Sequence, residues 1–314
     1  MSLTAKLMLS PLLVAQALLT RARLPRLPEA EGERAGSAGT DGAAPVVRLL
    51  IAGDSSAAGV GVAEQRHALA APLAQRVAEL SGCCIHWQLM ARSGLTTVQT
   101  HALLRAELDT TADIDIALVV TGVNDVVDQI PSHRAVAARE ALANWLRNAR
   151  GVRHVAFAPL PPVHQFPGLP QPLRWVAGAD AQRHNRALAE WAGTRGDVSS
   201  VPIDLRLHAG VMADDGFHPG APAYRQVAHE IARHLAALLR AEAHGHNDNE
   251  EDIDHEHDDA RAQPARQDAL HHRREPRHRP GDRQEGGGRR RQYRAGGQDH
   301  RAQPQAARHA LQRR

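Results

Sequence analysis

VVRLLIAGDSS, residues 46–56, decides the reading of this chain. Its first seven residues are apolar except Arg48 and end at Gly53, the pattern of a parallel strand buried on both faces. Asp54-Ser55-Ser56 follows, so a hydroxyl stands at a strand-to-helix turn. A serine there stands clear of the sheet, near amides that stabilise a developing negative charge. Taken alone, Gly-Asp-Ser is common and reads more readily as an ordinary helix cap.

Working outward, strand and helix signals alternate. The spacing predicts a helix over 63–80 that Pro72 should kink or split. A second strand is expected over 85–90, after the adjacent Cys83 and Cys84, which suit a buried strand start and make no disulfide framework. A helix over 97–108, a β-branched strand over 114–120 and a helix over 132–149 capped by Ser132 come next. Then follow a strand over 152–158, a stretch from Pro159 to Pro172 whose six prolines exclude regular structure, and a helix over 179–194. A short strand over 199–204 and a helix over 222–240 close the series. Such alternation implies an α/β domain, a parallel sheet covered on both faces, with function at the carboxyl ends of its strands.

The flanks differ from this domain, taken as residues 46–242. Residues 1–24 read as an apolar helix, but the run from Leu7 to Leu19 is shorter than the roughly 20 residues of a membrane span. Lys6 resembles the charged start of a signal peptide, yet no small-residue cleavage site follows. Arg21, Arg23 and Arg26 suit a helix lying on anionic lipid; packing on its own domain is the alternative. The expectation is a cytoplasmic protein able to associate with a membrane, with secretion left open. Residues 25–45 read as a linker rich in Pro, Gly, Glu and Ser. Residues 243–314, an acidic run and then an Arg-rich one, lack the apolar residues that offset chain entropy and read as a disordered tail. Nucleic-acid binding, or weak metal capture by His246, His255 and His257, are functional readings of that tail; a solvated or out-of-frame terminus is the bland one. A net charge of only +3 over 314 residues does not call for a nucleic-acid partner. With 42% apolar but only 3% aromatic residues, the core must rest on Ala, Leu and Val.

Three further segments fall where strands end. In Ser93-Gly94-Leu95-Thr96-Thr97, glycine allows close backbone approach, so its N–H could reach an oxyanion; taken alone, a plain turn is the favoured explanation. In Thr121-Gly122-Val123-Asn124-Asp125, the Asn124 amide could donate to the same oxyanion. In Asp214-Asp215-Gly216-Phe217-His218-Pro219, a carboxylate three residues before an imidazole can fix the ring tautomer and leave the other nitrogen to take a serine proton. His218 is one of 20 histidines, so its assignment depends on this context.

Together the four segments, in the order Ser, Gly, Asn, Asp-x-x-His, resemble the SGNH/GDSL hydrolase family over residues 46–240. The resemblance implies Ser55 as nucleophile, Asp215 and His218 as its catalytic partners, and an oxyanion hole of Ser55, Gly94 and Asn124. It also implies a flavodoxin-like three-layer α/β/α sandwich with five parallel strands ordered 2-1-3-4-5, and ester hydrolysis through an acyl-enzyme with no metal or cofactor. The sequence departs from the family at Ser56, where Leu is usual, and at Ala91-Arg92, where many members carry Asn ahead of the glycine. Ser56 is a rival nucleophile and Asp214 a rival acid. No Gly-x-Ser-x-Gly elbow exists, which argues against the α/β-hydrolase family.

The expected substrate is a small ester with a lipid-like acyl or aryl group. Phe166, Leu169, Leu173 and Trp175 would line its chain and Arg174 would meet an anionic head, although plugging the core is an equal role for them. Deacetylation of a carbohydrate, or a catalytically silent binding domain, are the alternatives.

Overall fold

The computed structural model describes residues 3–261 apart from 41, 43, 110 and 112, with side chains from residue 9 to residue 242. The Arg-rich tail from residue 262, and the suggested metal capture by His246, His255 and His257, lie outside what it describes.

The chain begins with α1 (Leu3–Arg23), then β1 (Ala35–Ala38), β2 (Val46–Gly53) and the single turn α2 (Ser55–Ala58). Next come α3 (Ala70–Ser81), β3 (Cys84–Ala91), α4 (Thr97–Glu107), β4 (Ile116–Val120), α5 (Val123–Val127) and α6 (Ser132–Arg150). β5 (His154–Phe157), α7 (Leu173–Ala192), β6 (Val198–Ser200) and α8 (Ala221–Arg261) complete it. The sheet order is β1-β3-β2-β4-β5-β6. Five of its strands are parallel, and they follow the expected 2-1-3-4-5 order. The sixth was not expected. β1 lies antiparallel to β3 with Ala35 opposite Gln88, inside the stretch read as a linker. Its sequence, Ala-Gly-Ser-Ala, has no apolar alternation to announce a strand, and Gly36 lets it pass close over the Trp87 ring.

β4, β5 and the carboxyl half of β2 are buried on both faces, so their consecutive residues feed different layers. Leu49 and Ile51 of β2 pack with Leu73 and Val77 of α3 and Ile231 and Leu235 of α8. Leu50 and Ala52 pack on the opposite face with Leu104 of α4, Leu142 and Leu146 of α6 and Leu188 of α7. Full burial of one such Leu or Ile contributes about 1.5–3 kcal/mol, so the two clusters supply most of what holds the layers together. A third cluster, with Val126, Leu160, Val163, Phe166 and Met212, packs the loops at the carboxyl edge.

Several boundaries move for identifiable reasons. The expected helix over 63–80 is a short 3-10 turn (Gln65–His67) followed by α3, which begins at Ala70 and so places Pro72 in its first turn. α6 starts at Ser132 itself, with Pro131 at its cap and no side-chain capping bond. α7 starts six residues earlier than expected, directly after Pro172. α8 does not end at Arg240 but runs through the acidic residues to Arg261; after that point the first proline is Pro264, and Ala and Glu tolerate helix well. α1 is helical as expected and docks at the start of α7: Gln16 Nε2 donates to Gln171 O at 2.7 Å, and Leu173 N donates to Gln16 Oε1 at 3.1 Å. Among the described residues, no helix is long and apolar enough to cross a membrane.

Candidate active site

β2 and β4 converge so tightly at their carboxyl ends that a Cβ on Gly53 would lie 2.2 Å from Val120 O. Glycine there lets the chain turn out of the sheet at once. Asp54 N donates back to Val120 O at 3.1 Å, and the Asp54 carboxylate caps α2 by accepting the Ser56 N–H at 3.0 Å. Ser55 is the first residue of that turn and half-buried.

From the far end of the domain, the loop before α8 arrives at the same place. Asp215 Oδ1 accepts the N–H groups of Phe217 and His218, both at 2.9 Å, so the loop is wound around the carboxylate. Asp215 Oδ2 and His218 Nδ1 are 2.6 Å apart, and His218 Nε2 lies 3.1 Å from Ser55 Oγ. The structure thus brings together Asp215, His218 and Ser55 in one hydrogen-bonded chain. His218 meets Ser55 and not the adjacent Ser56; Asp215 and not the exposed Asp214 holds the ring. Burial works to raise the Asp215 pKa, but the imidazole and the two N–H donors overcome it and hold the carboxyl below its ordinary value.

Gly94 and Asn124 stand across from this chain. Arg92 N donates to Gly53 O at 3.2 Å, which lays the Gly94 turn alongside the Ser55 turn. Gly94 is exposed and adopts φ +82°, a left-handed conformation that glycine takes without strain. Asn124 Nδ2 donates to Leu95 O at 3.1 Å and reaches Asp54 Oδ2 at 3.4 Å. The second contact is longer than an ordinary N–H···O bond, so that hydrogen is the less committed one.

Beneath lies a buried polar network that the motif reading missed. Asp125 accepts from Thr97 N at 3.0 Å and Thr97 Oγ1 at 2.6 Å, tying the start of α4 to α5. Arg139 of α6, 1% exposed, sits 3.8 Å from Asp125 Oδ2 and donates to Thr121 O at 3.3 Å. Its burial lowers the guanidinium pKa, an effect that Asp125 and Asp54 oppose. The signal was available: Ala135, Arg139, Leu142 and Leu146 share one helical stripe, which puts the arginine on the buried face.

The expected substrate wall is largely elsewhere. Phe166 and Leu169 are buried in the third cluster. Phe166 stacks edge-on against Phe217 at 5.2 Å, and Phe217 against the His218 ring at 5.1 Å, so Phe166 supports the imidazole from behind. Gly168 N, which donates to Gly216 O at 2.9 Å, draws the proline-rich stretch onto the His218 loop and into the core. Leu173 is half-buried against the same cluster. Arg174 turns inward, its Nη1 donating to Phe166 O at 3.3 Å, and Trp175 is exposed on the first turn of α7. The exposed apolar side chains nearest Asn124 and Thr97 in the chain are Val127 and Val98.

Residues 51–226 match the GDSL-like Lipase/Acylhydrolase family. The chain belongs to that family. Membership makes it a hydrolytic esterase. A GDSL-like esterase of Mycobacterium tuberculosis is 29% identical over 243 residues, covering 72% of this chain and 76% of the relative. A family 3 carbohydrate esterase from Clostridium thermocellum superposes with a TM-score of 0.50 at 16% identity, covering 62% of this chain and 98% of its own. A family 2 carbohydrate esterase from Myceliophthora fergusii also reaches 0.50, at 17% identity over 64% of this chain and 68% of its own. At such identities these two likenesses speak for the GDSL fold alone.

Proposed function

We propose that this GDSL esterase works through Ser55 as nucleophile, with His218 as its base and Asp215 holding the ring. The observation that carries the reading is the unbroken run from Asp215 Oδ2 to His218 Nδ1 at 2.6 Å and from His218 Nε2 to Ser55 Oγ at 3.1 Å. With Nδ1–H donated to the carboxylate, Nε2 keeps a lone pair aimed at the hydroxyl. Ser55 Oγ attacks the ester carbonyl as His218 Nε2 takes its proton. The oxyanion is met by the N–H groups of Ser55 and Gly94 and by the less committed hydrogen of Asn124. Collapse expels the alcohol, which takes the proton from His218, and water hydrolyses the acyl-enzyme with the same base.

The substrate reading is a small acyl or aryl ester with a lipid-like chain. Support comes from Val98, on α4 four residues after Gly94, and Val127, on α5 with Asn124, which are apolar side chains 60% and 56% exposed. Labelling with an alkyl fluorophosphonate tests the nucleophile: the wild type is modified at Ser55, and Ser55→Ala is neither labelled nor active. Retained hydrolysis by Ser55→Ala overturns the mechanism. A chain-length series of nitrophenyl esters run beside an acetylated xylo-oligosaccharide tests the substrate, and preference for the sugar overturns the lipid-like reading alone.

A further inference from the structure

The turn that carries Gly94 is gripped by the stretch read as a linker. Glu29 Oε1 accepts the Ser93 N–H at 2.6 Å, and Glu29 Oε2 accepts from Arg34 Nη2 at 2.6 Å. Arg34 Nη1 donates to Ala91 O at 2.8 Å, while Leu89 N donates to Arg34 O at 2.7 Å. One acid–base pair therefore holds residues 91 and 93, just ahead of the glycine. Asn124 holds Leu95 O, just behind it. The same segment is anchored at the Ser55 turn: Gln65 Nε2 donates to Ala30 O at 3.2 Å and to Ala58 O at 3.0 Å. Glu29 and Arg34 are partly exposed, so their ion pair adds little stability by itself. Its effect is to hold a backbone turn in one geometry.

We propose that Glu29, locked by Arg34, is a positioning residue that aims the Gly94 N–H at the oxyanion. The proposal rests on the assignment of Gly94 to the oxyanion hole. A glycine at positive φ has other conformations within reach, and releasing Ser93 lets the amide swing away. An interaction made only in the transition state would be lost, so kcat falls while KM is kept. Glu29→Ala should lower kcat about tenfold, less than the 10²–10³ that follows removal of a whole donor. Glu29→Gln, whose amide oxygen can still accept the Ser93 N–H but whose NH2 cannot accept from Arg34, should restore part of the rate and match Arg34→Gln. Arg34→Gln, which frees the carboxylate but leaves β1 in place, is the second variant and should also lower kcat at constant KM. Wild-type kcat in both Glu29→Ala and Arg34→Gln, or a fall in rate that follows only the fraction of folded protein, overturns the proposal. Activity in Ser55→Ala would instead overturn the site reading beneath it, so the two failures are distinct.

A separate observation concerns α1. Leu13 is buried and Leu9, Gln16, Thr20 and Leu24 are half-buried, which marks the docked side. At 3.6 residues per turn, Val14, Leu18 and Ala22 share the opposite side, with Leu19 beside them. Val14, Leu18 and Leu19 are 58%, 64% and 53% exposed, so the helix turns its apolar face to solvent. Exposed Arg21 and Arg23 flank that face, exposed Arg26 follows it, and the helix carries no carboxylate. Trp175, 52% exposed, lies on the first turn of α7, the turn where α1 docks.

We infer that this face seats on an anionic phospholipid surface, with the apolar side chains among the acyl chains and the guanidinium groups among the phosphates. Sedimentation of the full chain with phosphatidylglycerol-rich and with pure phosphatidylcholine vesicles tests it. The wild type should bind the anionic vesicles preferentially, and Val14→Glu with Leu18→Glu should weaken that binding at least tenfold while hydrolysis of a soluble ester is unchanged. Equal binding by the variant, as attraction through the Arg-rich tail would give, overturns the inference. So does a wild-type dimer that ignores vesicles and is split by the variant.

Discussion

Asp54 and Asp215 lie on either side of the contact between Ser55 and His218, 2% and 6% exposed, and the fold treats them in opposite ways. Asp215 accepts two backbone N–H groups and the imidazole, and its pKa is held down. Asp54 accepts one N–H at 3.0 Å and the long Asn124 contact, stands near Asp125, and is pushed by burial up to about 7. Asp54 is the more deeply desolvated of the two and burial outweighs its few donors, whereas at Asp215 the donors outweigh burial, so depth and donors together decide which carboxyl stays charged. The site thereby holds one permanent anion behind His218, and one group that can lose its charge beside Ser55.

Three substitutions break or sharpen that contrast. Asp215→Asn removes the permanent anion and presents the ring with the wrong tautomer, so kcat should fall about 10⁴-fold, read from steady-state rates on a nitrophenyl ester. Asn124→Ala removes the link between Asp54 and Leu95 together with the oxyanion donor proposed above, and kcat should fall about 10²–10³-fold in the same assay. Asp54→Asn should show its effect in stability. The folded pKa of Asp54 is raised from 3.8 to about 7, so between those values the folded chain keeps a proton that the unfolded chain releases. Its stabilising contribution is full below pH 3.8 and is lost as pH rises through about 7. Urea midpoints between pH 5 and pH 8 should therefore decline more in the wild type than in Asp54→Asn. An identical decline in both proteins would assign the slope to other groups.

The sequence was most legible where side-chain burial and chain direction coincide. Val46 to Ala52 reads as a doubly buried strand because both layers need apolar residues from it, and the Ser, Gly, Asn and Asp-x-x-His segments stand where such strands stop. It was least legible where pairing depends on backbone alone. Ala35 to Ala38 has no pattern, and Glu29 looks like any surface acid until the fold brings Ser93 to it, 64 residues on. Phe166 misled for the converse reason: an aromatic beside a proline-rich loop suits a pocket wall or a core plug, and only the stacking on Phe217 decides between them. Arg139 was hidden by its charge, although its helical spacing with Leu142 gave its orientation away.

Ser55 and His218 are separated by 163 positions, and the Tyr224 hydroxyl reaches back 164 positions to Val60 O. A growing chain thus carries its serine long before it owns a base, and a polypeptide halted anywhere short of the last loop is inert towards esters by the chemistry proposed above. Contacts of such long span form late. Recovery of turnover after denaturation should therefore trail recovery of helix content, which makes the enzyme its own reporter of completed assembly.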